Sequence, residues 1–326
     1  VKAFVLERGE LKLKEMPEPV AGPREIVVKL KVAGLNRRDL YIQKRMGNKE
    51  ETLILGSDGA GVIEAVGEGV DQFAVGDEVI INPSLRWDKN SAAPPEGFDI
   101  LGMPDHGTFA EKIVISANQV EKKPHYLTWD EAGVLALAAL TGYRAMFTKG
   151  KLQKGQTVFI PGAGSGVATY MIQFAHAVGA RVIVTSRDAK KREEALTIGA
   201  NRAIDTSSDW EEELANESID LVIDSVGKAT FNRSLQVLKR GGKIVTFGAT
   251  TEDKVDLNIR EFFYGQYQLL GSTMGSREEL KELIAFMEKH EIRPVIGRTF
   301  KLDNMQEAFD FLKVNKQFGK IAIEIF

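Results

Sequence analysis

Between Val158 and Ala177 a buried-strand pattern (VFIP) runs into Gly162-Ala163-Gly164-Ser165-Gly166-Val167-Ala168 and then into a helical pattern, TYMIQFAHAVG. Small residues at such a strand-to-helix corner let the backbone close on a pyrophosphate, and the start of the helix offers free amides and a partial positive charge. The spacing departs from GxGxxG. Counted from Gly162 the last position is Val167, and counted from Ala163 it is Ala168, still small enough for the helix to pack on the strand. A loop like this also occurs as plain structure, so the end of the next strand decides more. An acidic residue there would take ribose hydroxyls, but the chain has Thr185, Ser186 and Arg187, with Lys191 about one helical turn further on. A hydroxyl and two cations suit a 2'-phosphate. The pattern predicts NADPH rather than NADH, held by Gly164, Ser165, Gly166, Val167, Ser186, Arg187 and Lys191. The competing explanation is that Arg187 and Lys191 form no more than a solvated helix start.

Composition excludes much other chemistry. The 326 residues hold 43 Lys plus Arg against 46 Asp plus Glu, net -3, which leaves no basic surplus for a nucleic-acid backbone. With no cysteine there is no disulfide, thiolate metal site, iron–sulfur cluster or cysteine nucleophile, a usage that fits a reducing cytoplasm. Residues 1–10, VKAFVLERGE, lack the apolar core and cleavage site of a secretory leader, and the longest apolar run, Ala132–Leu140, is too short to cross a bilayer. These features predict a cytoplasmic protein with neither membrane nor nucleic acid as partner.

The elements that must position these residues fall into two textures. Up to about residue 125, short alternating or β-branched runs (Lys2–Leu6, Ile26–Val32, Gly61–Val66, Glu78–Ile81) separated by Gly, Pro and Asp predict a compact antiparallel barrel. From about 157 to 275, buried strands at Thr157–Ile160, Arg181–Thr185, Ala203–Asp205, Leu221–Asp224, Lys243–Phe247 and Gln268–Gly271 alternate with helical stretches, which predicts an α/β domain with a doubly wound parallel sheet. A helix over Trp129–Phe147 is expected to link them. The tail from Arg298 (RTFKL, a helix, KIAIEIF) is expected to return two strands to the first domain. The expected division is a barrel domain at 1–125, completed by about 295–326, and a dinucleotide-binding domain at 126–294. The segment 83–107 reads as a long loop carrying Trp87 and Phe98, either packed on its own domain or functional. His106 within it reads as an exposed loop histidine, with an acid role as the alternative.

Several stretches, in order along nearly the whole chain, resemble the medium-chain dehydrogenase/reductase superfamily. Gly56-Ser57-Asp58-Gly59-Ala60-Gly61-Val62, then Val66-Gly67-Glu68-Gly69-Val70, Phe73 and Gly76-Asp77-Glu78-Val79, resembles its glycine-rich barrel signature. Ala33-Gly34-Leu35-Asn36-Arg37-Arg38-Asp39-Leu40 resembles the segment upstream of that signature. Gly107-Thr108-Phe109-Ala110-Glu111 is similar to a barrel strand of the family, Leu140-Thr141-Gly142-Tyr143 to its linking helix and Gly319-Lys320 to its final strand. The resemblance implies a GroES-like barrel as catalytic domain and a Rossmann domain for the nucleotide. Zinc-dependent members have Cys where Asn36 stands and His-Glu where Ser57-Asp58 stands, and four cysteines in the region of 83–107. None of these is present, and the chain's 4 histidines, His106, His125, His176 and His290, are too scattered to rebuild a metal site. The resemblance therefore implies a zinc-free member similar to the quinone oxidoreductase and enone reductase branch.

Hydride transfer to such an acceptor needs a positioned nicotinamide and donors for the developing oxyanion. By resemblance Asn36 lies near the nicotinamide, and its amide and the Tyr41 phenol are the candidate catalytic groups, with Asp39 as a structural acceptor. Both residues also fit a purely structural role in capping and packing a short helix. Ser225, Phe247, Gly248 and Thr273, at the C-terminal ends of expected parallel strands, are candidates to flank the nicotinamide. Thr141, through its hydroxyl, and Lys320, by family analogy, are further candidates for cofactor contact. The expected activity is NADPH-dependent reduction of quinones or α,β-unsaturated carbonyls. An alcohol or aldehyde reductase, an enoyl-thioester reductase and a non-catalytic NADPH-binding protein remain alternatives. Oligomers of the superfamily usually join sheets edge to edge, so the resemblance implies a homodimer, with the last Rossmann strand, Tyr267–Ser272, preceded by Phe262, Phe263 and Tyr264, as a suitable edge.

Overall fold

The computed structural model describes residues 1–326, which form two compact units: Val1–Leu140 with Gly275–Phe326, and Thr141–Met274. The first is built around the strand Glu25–Leu35, whose near-continuous apolar side chains (IVV, L, VAGL) mark burial on both faces. It pairs antiparallel with Asp58–Val66, with Lys112–Ser116 and with the tail strand Lys320–Glu324. Ile296–Lys301 lies parallel to that tail strand, so the C-terminal segment does return to the barrel. A second sheet holds Lys2–Glu7 between Glu10–Glu15 and Leu53–Ile54. One core cluster gathers Phe4, Leu35, Ile42, Phe109, Phe309 and Ile321, and another Ile26, Leu30, Ile63, Ile81, Leu101 and Ile113.

The second unit is a six-stranded, fully parallel sheet in the order 202–205, 181–186, 157–160, 219–224, 238–246, 268–271. Numbered along the chain this is 3-2-1-4-5-6, the doubly wound Rossmann order, with the switch point between Thr157–Ile160 and Ile219–Asp224. Phe159, Ile183, Trp210, Val222, Phe231 and Ile244 form its core. No helix of the structure is long and apolar enough to cross a membrane.

Two features differ from the sequence pattern. The expected helix Trp129–Phe147 is broken into Trp129–Gly133, Ala136–Tyr143 and a π-helical turn at Arg144–Lys149. The break has a tertiary cause: the Leu137 amide, at the start of the second piece, donates to the buried Asp58 carboxylate at 2.8 Å, so a side chain from a distant strand caps the helix. Gly34 makes room beside it, since a Cβ there would stand 2.9 Å from the Gly133 carbonyl. The second difference is that 126–140 and 275–294 belong to the barrel unit. For the latter the cause is the 83–107 loop, which docks on the start of the helix Arg277–Lys289. The Trp87 carbonyl accepts from the Arg277 amide (2.8 Å), that of Asp88 from Glu278 (3.2 Å), and Glu278 Oε2 accepts from the Asn90 amide (2.8 Å). Trp87 itself is buried edge-on against Phe98, with ring centroids 5.4 Å apart. Of the two readings of this loop, its packing within its own unit is what these contacts describe.

Candidate active site

Three neighbouring strands of the barrel sheet deliver polar side chains to one end of it. Register pairs Gly34 with Asp58 and Leu35 with Ile321, so Asn36 just past one strand, Asp58 opening the second and Lys320 opening the third stand side by side. Asn36 Nδ2 donates to Asp58 Oδ2 at 2.9 Å, and Lys320 Nζ donates to Asn36 Oδ1 at 2.6 Å and to the Leu35 carbonyl at 3.0 Å. The Asn36 amide donates to Asp39 Oδ2 at 2.7 Å, closing the turn into the helix Asp39–Met46. Arg38 donates to Ser57 Oγ (2.7 Å) and to the Leu101 carbonyl (2.9 Å), which ties the long loop to the same end of the sheet. All of Asn36, Asp39, Ser57, Asp58 and Lys320 are buried.

Removal from water governs the charges here, because burial penalises the ionised form. It pushes Asp39 up to about 7, against weaker opposition from the Asn36 amide, Arg38 and Lys320. Burial likewise raises Asp58 and lowers Lys320, each shift being opposed by attraction between the two. Asp39 Oδ1 is buried without a hydrogen-bond partner.

Tyr41 lies outside this cluster. It is 44% exposed on the face of its helix that also carries Lys44 and Arg45, whereas Ile42 faces the core. His106, exposed, accepts the Ile54 amide on Nδ1 at 3.1 Å, which gives it a structural bond.

The second site is made mostly of backbone. Thr157–Ile160 ends in a corner where Gly162 (φ +83°) and Gly164 (φ +104°) occupy left-handed conformations that side-chain-bearing residues rarely adopt. The corner is fastened to the adjoining strand: the Ala163 amide donates to the Thr185 carbonyl (2.7 Å) and the Gly162 amide to Thr185 Oγ1 (3.2 Å). Ser165 caps the helix Gly166–Ala177, its Oγ accepting the Ala168 amide at 3.1 Å, and the Gly166 and Val167 amides belong to the first turn, which has no intrahelical acceptors. At the end of the next strand Ser186 is buried with its Oγ accepting the Asp188 amide, while Arg187 is exposed and has no ion-pair partner. Lys191 is buried. Arg192 is a cation that the sequence pattern does not single out; its guanidinium donates to the Ser186 carbonyl at 2.8 Å and lies 3.6 Å from Asp205.

Further along the same edge, Asp224 shapes its turn by accepting the Val226 and Gly227 amides and the Thr230 hydroxyl. Phe247 and Gly248 follow Leu238–Thr246, and a Cβ on Gly248 would come within 3.3 Å of the Ser225 carbonyl. Thr273 is exposed beyond Gln268–Gly271, and Thr141 Oγ1 donates to Met274 Sδ at 3.6 Å. Ser225, Phe247, Gly248 and Thr273 follow the carboxyl ends of parallel strands, where open α/β folds take their ligands.

Comparison with known proteins agrees with the fold. Residues 22–125 match the family described as "Alcohol dehydrogenase GroES-like domain" and residues 166–289 that described as "Zinc-binding dehydrogenase". The chain is 31% identical to the acryloyl-coenzyme A reductase of Sulfurisphaera tokodaii over 96% of each chain. Among solved structures it resembles an NAD-dependent alcohol dehydrogenase (TM-score 0.92, 32% identity, covering 100% of both chains). It also resembles the 2-octenoyl-CoA carboxylase reductase CinF in complex with NADP and 2-octenoyl-CoA (TM-score 0.88, 25% identity, covering 99% of this chain and 87% of that one).

The chain belongs to the medium-chain dehydrogenase/reductase superfamily. Within it, the protein is an oxidoreductase made of a GroES-like barrel and a Rossmann domain.

The family name implies zinc, but the residues here do not fit it. Zinc sites are built from thiolate, imidazole and carboxylate, whereas this position offers a carboxamide, a hydroxyl and one carboxylate, with an ammonium already on the carboxamide oxygen. No group of three or more His, Cys, Asp or Glu side chains stands where it could hold a metal ion.

Proposed function

We propose that the protein reduces α,β-unsaturated carbonyl compounds or quinones with NADPH, without zinc, and that enoyl thioesters are the favoured acceptors. The observation that carries this reading is Asn36: a buried carboxamide, held by hydrogen bonds at both ends, where the resemblance implies a metal ligand in zinc-dependent relatives. Its second Nδ2–H is a neutral donor for the carbonyl oxygen of the acceptor, whose negative charge grows as hydride reaches the conjugated carbon. The bound nicotinamide supplies the hydride; the remaining roles fall to the chain. For the cofactor, the Gly162–Val167 corner fits the pyrophosphate, Ser186 and Arg187 fit the 2'-phosphate, and Ser225, Phe247, Gly248, Thr273 and Thr141 are candidates to flank the nicotinamide. The CinF complex supports both NADP and an enoyl thioester as ligands. Protonation of the enolate falls to Tyr41 or to solvent.

The alcohol dehydrogenase likeness favours a second reading, reduction of simple carbonyls with NADH. The two separate in one assay. Oxidation of NADPH and NADH is followed in parallel over crotonyl-CoA, acryloyl-CoA, quinones, enones, aldehydes and ketones. NADPH-linked turnover of enoyl thioesters, enones or quinones is expected. Turnover confined to aldehydes or ketones contradicts the proposal, and tight NADPH binding with no turnover would make it a binding protein.

We further propose a cytoplasmic homodimer joined through the edge strand Gln268–Gly271. Leu269 there, with Ile259, Phe263 and Tyr264 on the preceding helix, leaves apolar side chains 42–64% exposed.

A further inference from the structure

The polarity of a carboxamide inside a protein is set by its partners, and at Asn36 it is forced. Lys320 has only donors to offer, and an ionised Asp58 only acceptors. The ammonium must therefore meet Oδ1 and the carboxylate Nδ2, as the 2.6 Å and 2.9 Å contacts show. A flipped amide would set NH2 against NH3⁺ and oxygen against oxygen, both buried. Lys320 makes no direct ion pair with either carboxylate: Asn36 stands between it and Asp58 and bridges the two charges. Of the two hydrogens on Nδ2, one is committed to Asp58.

We propose that Asp58 and Lys320 act on the reaction through Asn36, clamping its carboxamide from opposite ends so that one N–H of fixed direction remains for the acceptor oxygen. This rests on the reading of Asn36 given above and deepens it. Lys320 is then a positioning residue, acting on the donor rather than on the cofactor as family analogy alone would have it. The clamp is assembled from three strand ends, and its remaining ties are structural: Leu35 O holds the ammonium and the Leu137 amide holds the second carboxylate oxygen. It gives a zinc-free site what a metal would otherwise provide, a group that stabilises the oxyanion without reorganising during the reaction.

The test is a double-mutant cycle on the full chain with NADPH and crotonyl-CoA, with thermal unfolding of each variant recorded alongside. Lys320→Met is expected to lower kcat by about ten- to a hundredfold, less than loss of a donor itself, with the KM for NADPH unchanged. Lys320→Gln keeps an N–H for Asn36 Oδ1 and is expected to recover part of that loss, which a purely structural role would not produce. The variant carrying both Asn36→Ala and Lys320→Met is expected to be no slower than Asn36→Ala alone, because the second change acts on a group already gone. Multiplying losses, or a loss carried by the KM for NADPH, would overturn the clamp while leaving Asn36 as donor. Full turnover by Asn36→Ala would overturn both the clamp and the reading beneath it.

Discussion

The two candidate sites of this molecule are built on opposite principles. At the carboxyl edge of the Rossmann sheet the groups presented are mainly backbone amides, placed by left-handed glycines at 162 and 164 and by a serine cap at 165. At the end of the barrel sheet the groups are mainly side chains held by other side chains, 36 by 58 and 320 and 57 by 38, with the 36 backbone amide held by the nearby Asp39. A backbone site tolerates exchange of many side chains around it, while a buried polar cluster fails when any one partner is removed, because the others stay in low dielectric without a bond.

That contrast can be broken most strongly through Asp39. Its folded value of about 7 lies above the ordinary 3.8, so the folded state holds a proton that the unfolded chain gives up. The protonated group's contribution is complete below the ordinary value and is lost as pH rises through about 7, a change of about 4 kcal/mol. Urea unfolding of wild type and of Asp39→Asn, from pH 4 to pH 8, is expected to show wild type losing about that much relative to the variant. A pH-independent difference would mean that the carboxyl is not desolvated as described.

Next in size is Asn36→Ala. Removal of one oxyanion donor is expected to cost about a hundred- to thousandfold in kcat, with the KM for NADPH held, since the residues proposed for the nucleotide lie in the other unit. Arg187→Ala should do the reverse. It is expected to raise the KM for NADPH about tenfold, the loss of a charge-assisted hydrogen bond, and to leave NADH unaffected. Equal weakening of both nucleotides would remove the 2'-phosphate assignment. The smallest effect is expected for Ser165→Ala, about 1 kcal/mol of stability for a lost helix cap, read by thermal unfolding, because the corner itself is kept by Gly162, Gly164 and Thr185.

The same contrast explains what the amino-acid sequence discloses. The strands Glu78–Ile81, Thr157–Ile160 and Gln268–Gly271 begin and end where their hydrophobic pattern says, and the glycine corner is visible because its residues are consecutive. The strand Glu10–Glu15, ELKLKE, escapes a hydrophobicity reading because it is half-exposed beside Lys2–Glu7. The break after Gly133 is invisible locally, since it depends on a carboxylate from position 58. The ties of Asp58 and Lys320 to Asn36 escape for the same reason. The sole local sign of Asp58 is a charge at the head of a glycine-rich strand, and nothing near Lys320 marks it as buried. Arg192 is hidden among the other cations of its helix, with only its place in the first turns after Ser186 to suggest a role.

If the clamped carboxamide does in this protein the work of a metal, turnover does not depend on one. Crotonyl-CoA reduction with NADPH is measured before and after exhaustive dialysis against a strong chelator, and again after addition of Zn²⁺. The same kcat is expected in all three conditions. Activity that is lost with the chelator and restored by zinc would contradict it.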